Sequence, residues 1–205
     1  RGVHETISID RSGGWRFGRT FGQDEILIYH FFNRAGQIPG MYSDLIYVDG
    51  PTVRSGTAIL QMARYNDVFL DSQFDDGSAG TAYEYELIYA MQESAGRESL
   101  KAAQEGPSVV GISPGTDLGD EKEFYRHYFL IENNRRQDDY QPIISLARAL
   151  SKRGEEFDRA TQEVLDVDQW MRAFAALSLS GAGDNFNAGS QHNALFYQRP
   201  SDHKM

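Results

Sequence analysis

Short strands and one helix in the first part of the chain, then a run of amphipathic helices, predict an α+β domain of two lobes. An antiparallel sheet with one helix forms the first lobe, and the second is mostly helical. Two observations carry this. Between residues 42 and 90 the apolar residues come in short β-branched and aromatic runs, separated by Asp, Gly and Pro clusters. Between residues 143 and 177 they recur at i, i+3 and i+4. The division that follows is residues 1–90, a loop or insertion over 91–120, and residues 121–205. No internal repeat or low-complexity tract interrupts it.

Taken in order, residues 1–22 are rich in Gly and Arg. Their glycines fit neither the dinucleotide fingerprint nor the P-loop spacing, so Arg11, Arg16 and Arg19 read as a solvated basic loop or a face toward an anionic ligand. Gln23 to Ala35 reads as a helix, with Leu27, Ile28, Phe31, Phe32 and Ala35 on one face and Gly36 as its stop. Glu25 sits in its first turn, where the helix dipole favours a carboxylate. Tyr42 to Val48 is a strand, Asp49-Gly-Pro-Thr a turn, and Thr57 to Tyr65 a second strand antiparallel to the first. Asn66 to Asp71 leaves the sheet. A turn over Asp75 to Gly80 feeds a strand from Ala82 to Ala90.

Residues 91–120 have little periodicity and read as a long surface loop. Asp120 to Asn134 is ambiguous: Phe124, Tyr128 and Ile131 fit a helix, whereas the aromatic density of 124–130 fits a strand. Asp138 and Asp139 offer caps to the next helix, and Pro142 suits its first turn. Its buried face is Ile143, Leu146, Ala147 and Leu150. A second helix over Glu155 to Leu165 turns Phe157, Ala160 and Val164 inward.

The third helix is the one the chain leads up to. Asp166 is a natural N-cap with Gln169 three residues on. Val167, Trp170, Met171, Phe174 and Leu177 make its buried face, and Gly181 and Gly183 end it. A polar loop with Asp184, Asn185, Asn187, His192 and Asn193 follows, then a strand from Ala194 to Tyr197. An Asp delivered by a buried helix, with an Asn just before a strand, can hold a base and a metal ligand over a phosphate. Ordinary turn formers would also have this composition.

Composition narrows the function. The 205 residues are 40% hydrophobic and 12% aromatic, enough core material for one large domain or two small lobes. A net charge of −10 opposes general nucleic-acid or anionic-membrane binding, both of which need a cationic field. The absence of cysteine excludes disulfides and thiolate metal sites. No apolar run approaches a membrane span and no signal peptide stands in this segment. The acidic runs at 71–77 and 184–189 lack EF-hand spacing. His127 has no second ligand at chelating distance in sequence and reads as a packed histidine. Asp184 with His192 could serve a hydrolase, but no nucleophile elbow accompanies them.

Three segments carry a resemblance: Asp139-Tyr-Gln-Pro-Ile-Ile-Ser-Leu-Ala-Arg-Ala-Leu150, the run EEFDRATQEVLDVDQWMRAFA ending at Ala175, and Gly183-Asp-Asn through His192-Asn-Ala-Leu-Phe-Tyr197. Together they resemble the CotH kinase family, spore coat protein H and its relatives in exported bacterial proteins. Thr57 to Leu70 resembles the segment that leaves that family's N-lobe sheet. The likeness runs over most of residues 23–199 and is most specific from Asp139 to Tyr197.

The resemblance implies a two-lobed atypical protein-kinase-like fold that transfers the γ-phosphoryl group of ATP to Ser or Thr of a coat or surface protein, with Mg²⁺. It implies an extracellular, cell-surface or coat location. Asp184 would match the catalytic-loop aspartate, Asn193 the metal-binding asparagine, and Glu25 the helix glutamate that orients the nucleotide-binding lysine. Asn185 and Asn187 are rival metal ligands, because ordinary kinases separate the Asp and Asn by five residues and here the gap is nine. Both ends of the chain read as cut. The family's lysine-bearing strand would precede Arg1, and its second metal-binding aspartate would follow Met205, where a return strand would begin. Lys101, Lys122, Lys152 and Lys204 are the lysines present, and none is expected in a suitable strand. The segment by itself is therefore expected to be an inactive, truncated part of such a kinase. The alternative is a non-catalytic surface or coat-assembly module on the same fold, which exposed aromatics among Tyr83, Tyr85, Tyr89 and Phe124 would favour.

Overall fold

The computed structural model describes residues 8–10, 22–35, 38–40, 42–52, 59–85, 89–91, 101–103, 114–126, 128–181, 186–187 and 194–205. The chain is mixed α+β with antiparallel sheets, and it divides into two compact units, Arg1–Asp75 and Asp76–Met205.

The first unit contains β1 (Ser8–Asp10), α1 (Gly22–Arg34), β2 (Ser43–Ile46), β3 (Ile59–Met62) and α2 (Asp67–Gln73). β3 lies between β1 and β2 and is antiparallel to both, with Asp44 opposite Gln61 and Leu45 opposite Leu60. β2 is shorter than its apolar run, and β3 stops at Met62, before its run ends at Tyr65. Where the chain leaves β3, Asn66 adopts an extended backbone and its side-chain oxygen accepts from Phe69 N at 3.2 Å, which starts α2. Phe69 is buried, with its ring 5.7 Å from that of Tyr42 and edge-on to Tyr65 at 5.3 Å.

α1 forms where its periodicity predicts, but its buried face is narrower. Ile28, Phe32 and Ala35 are half-buried, whereas Leu27 is 65% exposed and Phe31 is also exposed. Successive helical residues point about 100° apart. A single neighbouring surface therefore covers the 28/32 row and leaves the 27/31 row to solvent.

The second unit begins with a 3₁₀ turn over Gly77–Ala79. It continues with β4 (Thr81–Tyr85), β5 (Tyr89–Met91), β6 (Lys101–Ala103), α3 (Lys122–Arg126), β7 (Phe129–Ile131), α4 (Gln141–Ser151), α5 (Gly154–Val164), α6 (Val167–Ser180) and β8 (Ala194–Gln198). β4 is the centre of an antiparallel sheet of order β7-β4-β8. Within the predicted strand from Ala82 to Ala90, β4 pairs with β7 and β8 and β5 pairs with β6; residues 86–88 between them lie outside the described residues. β6 falls inside 91–120, which reads as loop because Lys101-Ala-Ala has no apolar alternation to announce a strand. The ambiguous 120–134 stretch is a helix and a strand in succession, α3 then β7, so both patterns were present.

The core of this unit is aromatic. Tyr85, Phe129 and Phe196, one from each strand of the sheet, have ring centroids 5.0, 6.0 and 6.1 Å apart. Ile143, Leu146 and Ala147 of α4 join the same cluster, and Ile144 and Ala149 are buried too. Asp139 Oδ1 accepts from Gln141 N at the start of α4. Asp138, expected as a cap, is bound instead by Lys122 and Arg126. On α5, Phe157 is exposed rather than inward, and Thr161 is buried, its hydroxyl donating to the Phe157 carbonyl at 2.7 Å.

Two polar devices lock the sheet. Asn133 is buried; its oxygen accepts from Ala82 N and its nitrogen donates to Gly80 O, both at 2.8 Å. Asn134 donates to Ser78 O and Gly80 O. Gly80 itself has no room for a side chain, because a Cβ there would collide with Gln198 O and the Tyr197 ring. Met205 forms no return strand. Its side chain is buried, its N–H donates to Val164 O at 2.9 Å, and its carbonyl accepts from Asp166 N and from Trp170 Nε1. It thereby closes the corner between α5 and α6.

Candidate functional site

The candidate site is framed by α6 on one side and β8 on the other. α6 starts as predicted: Asp166 Oδ1 accepts from Gln169 N at 3.0 Å. The Gln169 N–H and then the Arg199 guanidinium hold the Asp166 carboxyl below its ordinary range. Gly181, left-handed at φ 67°, ends the helix as expected. β8 opens at Ala194, directly after Asn193 in sequence, with Ala194 opposite Tyr85.

α6 is not the buried support its pattern predicts. Trp170, Phe174 and Leu177 are half-buried and Ala176 is buried, but Met171 is 54% and Leu179 81% exposed, and Val167 is exposed as well. Trp170 stacks on Phe196 of the sheet and Phe174 on Phe186, and the 167/171 row faces outward. The helix lies on the edge of the aromatic core rather than within it.

Asp184, Asn185, His192 and Asn193 lie outside the described residues, as does His127. Phe186 and Asn187 are described. The Phe186 ring stacks on Phe174 at 6.2 Å and 13° between planes. It meets Phe196, Tyr85 and Trp170 edge-on at 5.7, 6.3 and 6.5 Å. Asn187, a rival metal ligand, donates its side-chain N–H to Ser178 Oγ at 2.9 Å. The sequence reading gave Phe186 no role, although it is the single large apolar residue between Leu179 and Leu195, and that isolation was a usable signal.

Glu25 lies near the start of α1 in the first unit and is half-buried. Of the lysines, Lys101 stands in a strand after all, at the start of β6 opposite Met91. Lys122 Nζ is committed to Asp138 Oδ2 at 2.6 Å. Tyr83 and Tyr85 are fully buried, and burial pushes both hydroxyls well above their ordinary range. Phe124 is exposed, and the Tyr89 side chain lies outside the described residues. Tyr83 and Tyr85, which face the core, give no support to a binding-module role, whereas the exposed Phe124 is the kind of residue that role would use.

A second feature escaped the sequence reading. Arg126, Leu130, Ile131, Glu132, Arg135, Asp138 and Tyr140 line an open cleft of about 330 Å³ beside β7. Its polar groups satisfy one another. Arg126 binds Asp138 through two nitrogens at 2.6 and 2.8 Å, binds Glu123, and lies 5.1 Å from the Tyr140 ring centroid. Arg126, then Lys122, holds the Asp138 carboxyl well below the usual range. Tyr140 Oη and Arg135 Nε donate to the carbonyls of Phe129 and Ile131. Those bonds cap the free edge of β7, which would otherwise invite another strand.

Among the described residues no three His, Asp or Glu side chains converge as a metal site, and no helix is long and apolar enough to cross a membrane. No family model, curated protein or solved structure matches the chain.

Proposed function

We propose that residues 1–205 are part of a CotH-like atypical protein kinase, which transfers the γ-phosphoryl group of ATP to a Ser or Thr hydroxyl of a coat or surface protein outside the cell. The observation that carries this is the order capped helix, left-handed glycine, aromatic anchor, strand over Asp166–Gln198. It frames a loop that carries the Asp and Asn the chemistry needs. The kinase-like arrangement of two lobes is part of the same proposal.

In the reaction, the acceptor hydroxyl oxygen bonds to the γ-phosphorus as the bond to the β,γ-bridging oxygen breaks and ADP leaves. The hydroxyl proton passes to the Asp184 carboxylate. Asn193 would hold Mg²⁺, whose chemical contribution is to neutralise charge on the phosphates. Glu25 would orient a lysine toward them. Asn193 is a neutral and weak ligand, and Lys122 is held by Asp138.

Nucleotide-dependent thermal stabilisation tests the site. A ligand bound by the native state alone raises the melting temperature. ATP with Mg²⁺ is expected to raise that of the protein, and Asn193→Ala is expected to reduce the rise. No shift with ATP and Mg²⁺ at millimolar concentration would count against a nucleotide site.

A further inference from the structure

We propose that the outer edge of β7 is a strand-addition site for an extended, acidic peptide segment of a partner protein, with Arg135 as its displaceable cap and its charge reader. The inference does not depend on the phosphoryl-transfer reading.

β7 stands at one edge of the β7-β4-β8 sheet, and its register fixes which main-chain groups face outward. Glu132 N donates to Ala82 O at 2.9 Å. In an antiparallel ladder, residues bonded in this way alternate with residues whose N–H and C=O point away. Phe129 and Ile131 therefore turn their main chain from β4. The Ile131 side chain belongs to the core, so what Ile131 offers the cleft is its main chain.

The two outward carbonyls are covered unequally. Phe129 O accepts from Tyr140 Oη, and Tyr140 is buried beneath the Arg126 guanidinium. Ile131 O accepts from Arg135 Nε at 2.8 Å, but the Arg135 side chain is 65% exposed and comes from the turn four positions along the chain. Its ion pair with Glu132 is long, at 3.6 Å. This cap can swing away. The Ile131 N–H faces the same side, with no main-chain acceptor among the described residues. An extended segment laid along this edge would donate an N–H to Ile131 O in place of the guanidinium and accept from Ile131 N. Leu130, half-buried in the cleft, adds an apolar contact.

Charge selects the partner. Lys122 and Arg126 are neutralised by Asp138 and Glu123. Arg135 and the exposed Arg136 beside it have Glu132 alone at the same end of β7, a local surplus of positive charge on a chain whose net charge is −10. An acidic side chain on the incoming segment would pair the displaced guanidinium.

The probe is the blocked peptide acetyl-Val-Thr-Val-Glu-Val-Thr-amide, titrated at low salt into the isotope-labelled protein and followed by amide NMR. Beside it run the same peptide with Lys in place of Glu, and a version methylated on all its central amide nitrogens. The Glu peptide is expected to shift the amide signals of β7 and to slow exchange at Ile131 while α4 is unchanged. The Lys peptide should bind about threefold more weakly or worse, and the methylated peptide should not bind. Arg135→Ala should still bind but lose the preference for Glu over Lys, and Arg135→Glu should reverse it. Arg135 is exposed, so unchanged melting temperatures are expected for both variants. No shift at Ile131 with millimolar peptide, shifts confined to residues outside β7, or binding by the methylated peptide would overturn strand addition. Equal binding of the Glu and Lys peptides, or a preference for Glu that survives Arg135→Glu, would overturn the acidic partner and the role of Arg135.

Discussion

The Asp166 carboxylate serves two elements at once. Its Oδ1 caps α6 at Gln169 N, and its Oδ2 accepts from Arg199 at 2.7 Å, 33 positions further along the chain. Arg199 in turn holds Asp202 in the turn that brings Met205 back to the α5–α6 corner. One side chain therefore joins the helix before the candidate loop to the segment after it.

Asp166→Ala removes both roles. Loss of an N-cap alone costs about 0.5–2 kcal/mol, so Asp166→Ala is expected at the upper end of that range by urea unfolding. Asp166→Asn keeps a capping oxygen and should cost roughly half as much. Equal losses would show that the ion pair, not the cap, carries the effect.

The same pair gives a pH dependence with a definite sign. The folded-state carboxyl of Asp166 is held below its ordinary value by Gln169 N–H and Arg199. Its stabilisation is fully present above the ordinary Asp value of about 3.9, and is lost as pH falls through the lower folded value. The stability gap between the natural chain and Asp166→Asn should therefore be constant near neutrality and should narrow as acid is added below about pH 4. A gap that widens in acid would contradict this assignment.

Asn133 and Gly80 make a structural prediction independent of function. Asn133→Ala removes the partner of Ala82 N and leaves Gly80 O with Asn134 alone, and an unsatisfied buried group costs about 1–3 kcal/mol. Gly80→Ala forces a Cβ against Gln198 O and the Tyr197 ring, with an overpacking cost of about 1–3 kcal/mol. Gly119 has open space around the same atom, so the steric part of the loss should be absent in Gly119→Ala, leaving only its backbone strain at φ 85°. Chemical unfolding of the three variants checks the ranking.

What could be read in advance was local. The Asp166 cap, the left-handed Gly181, the apolar rows of α4 and the turn at Asp75–Gly80 each depend on residues a few positions apart, and each is present. What was hidden depends on distant partners. Asn133 reaches Ala82 and Gly80 across 51 and 53 positions, and no periodicity announces such a bond. β6 exists because β5 offers it main-chain partners. Leu27, Phe31, Phe157 and Met171 were assigned inward because a wide apolar stripe does not say which of its edges a neighbour will cover. At the candidate site, the helix end and the strand start were legible.

The most direct measurement is transfer of label from γ-labelled ATP with Mg²⁺ to an acceptor protein, comparing the natural protein with its Asp184→Asn variant. Label should reach the acceptor with the natural protein, and Asp184→Asn should abolish it. Undiminished transfer by Asp184→Asn would contradict the assignment of the site.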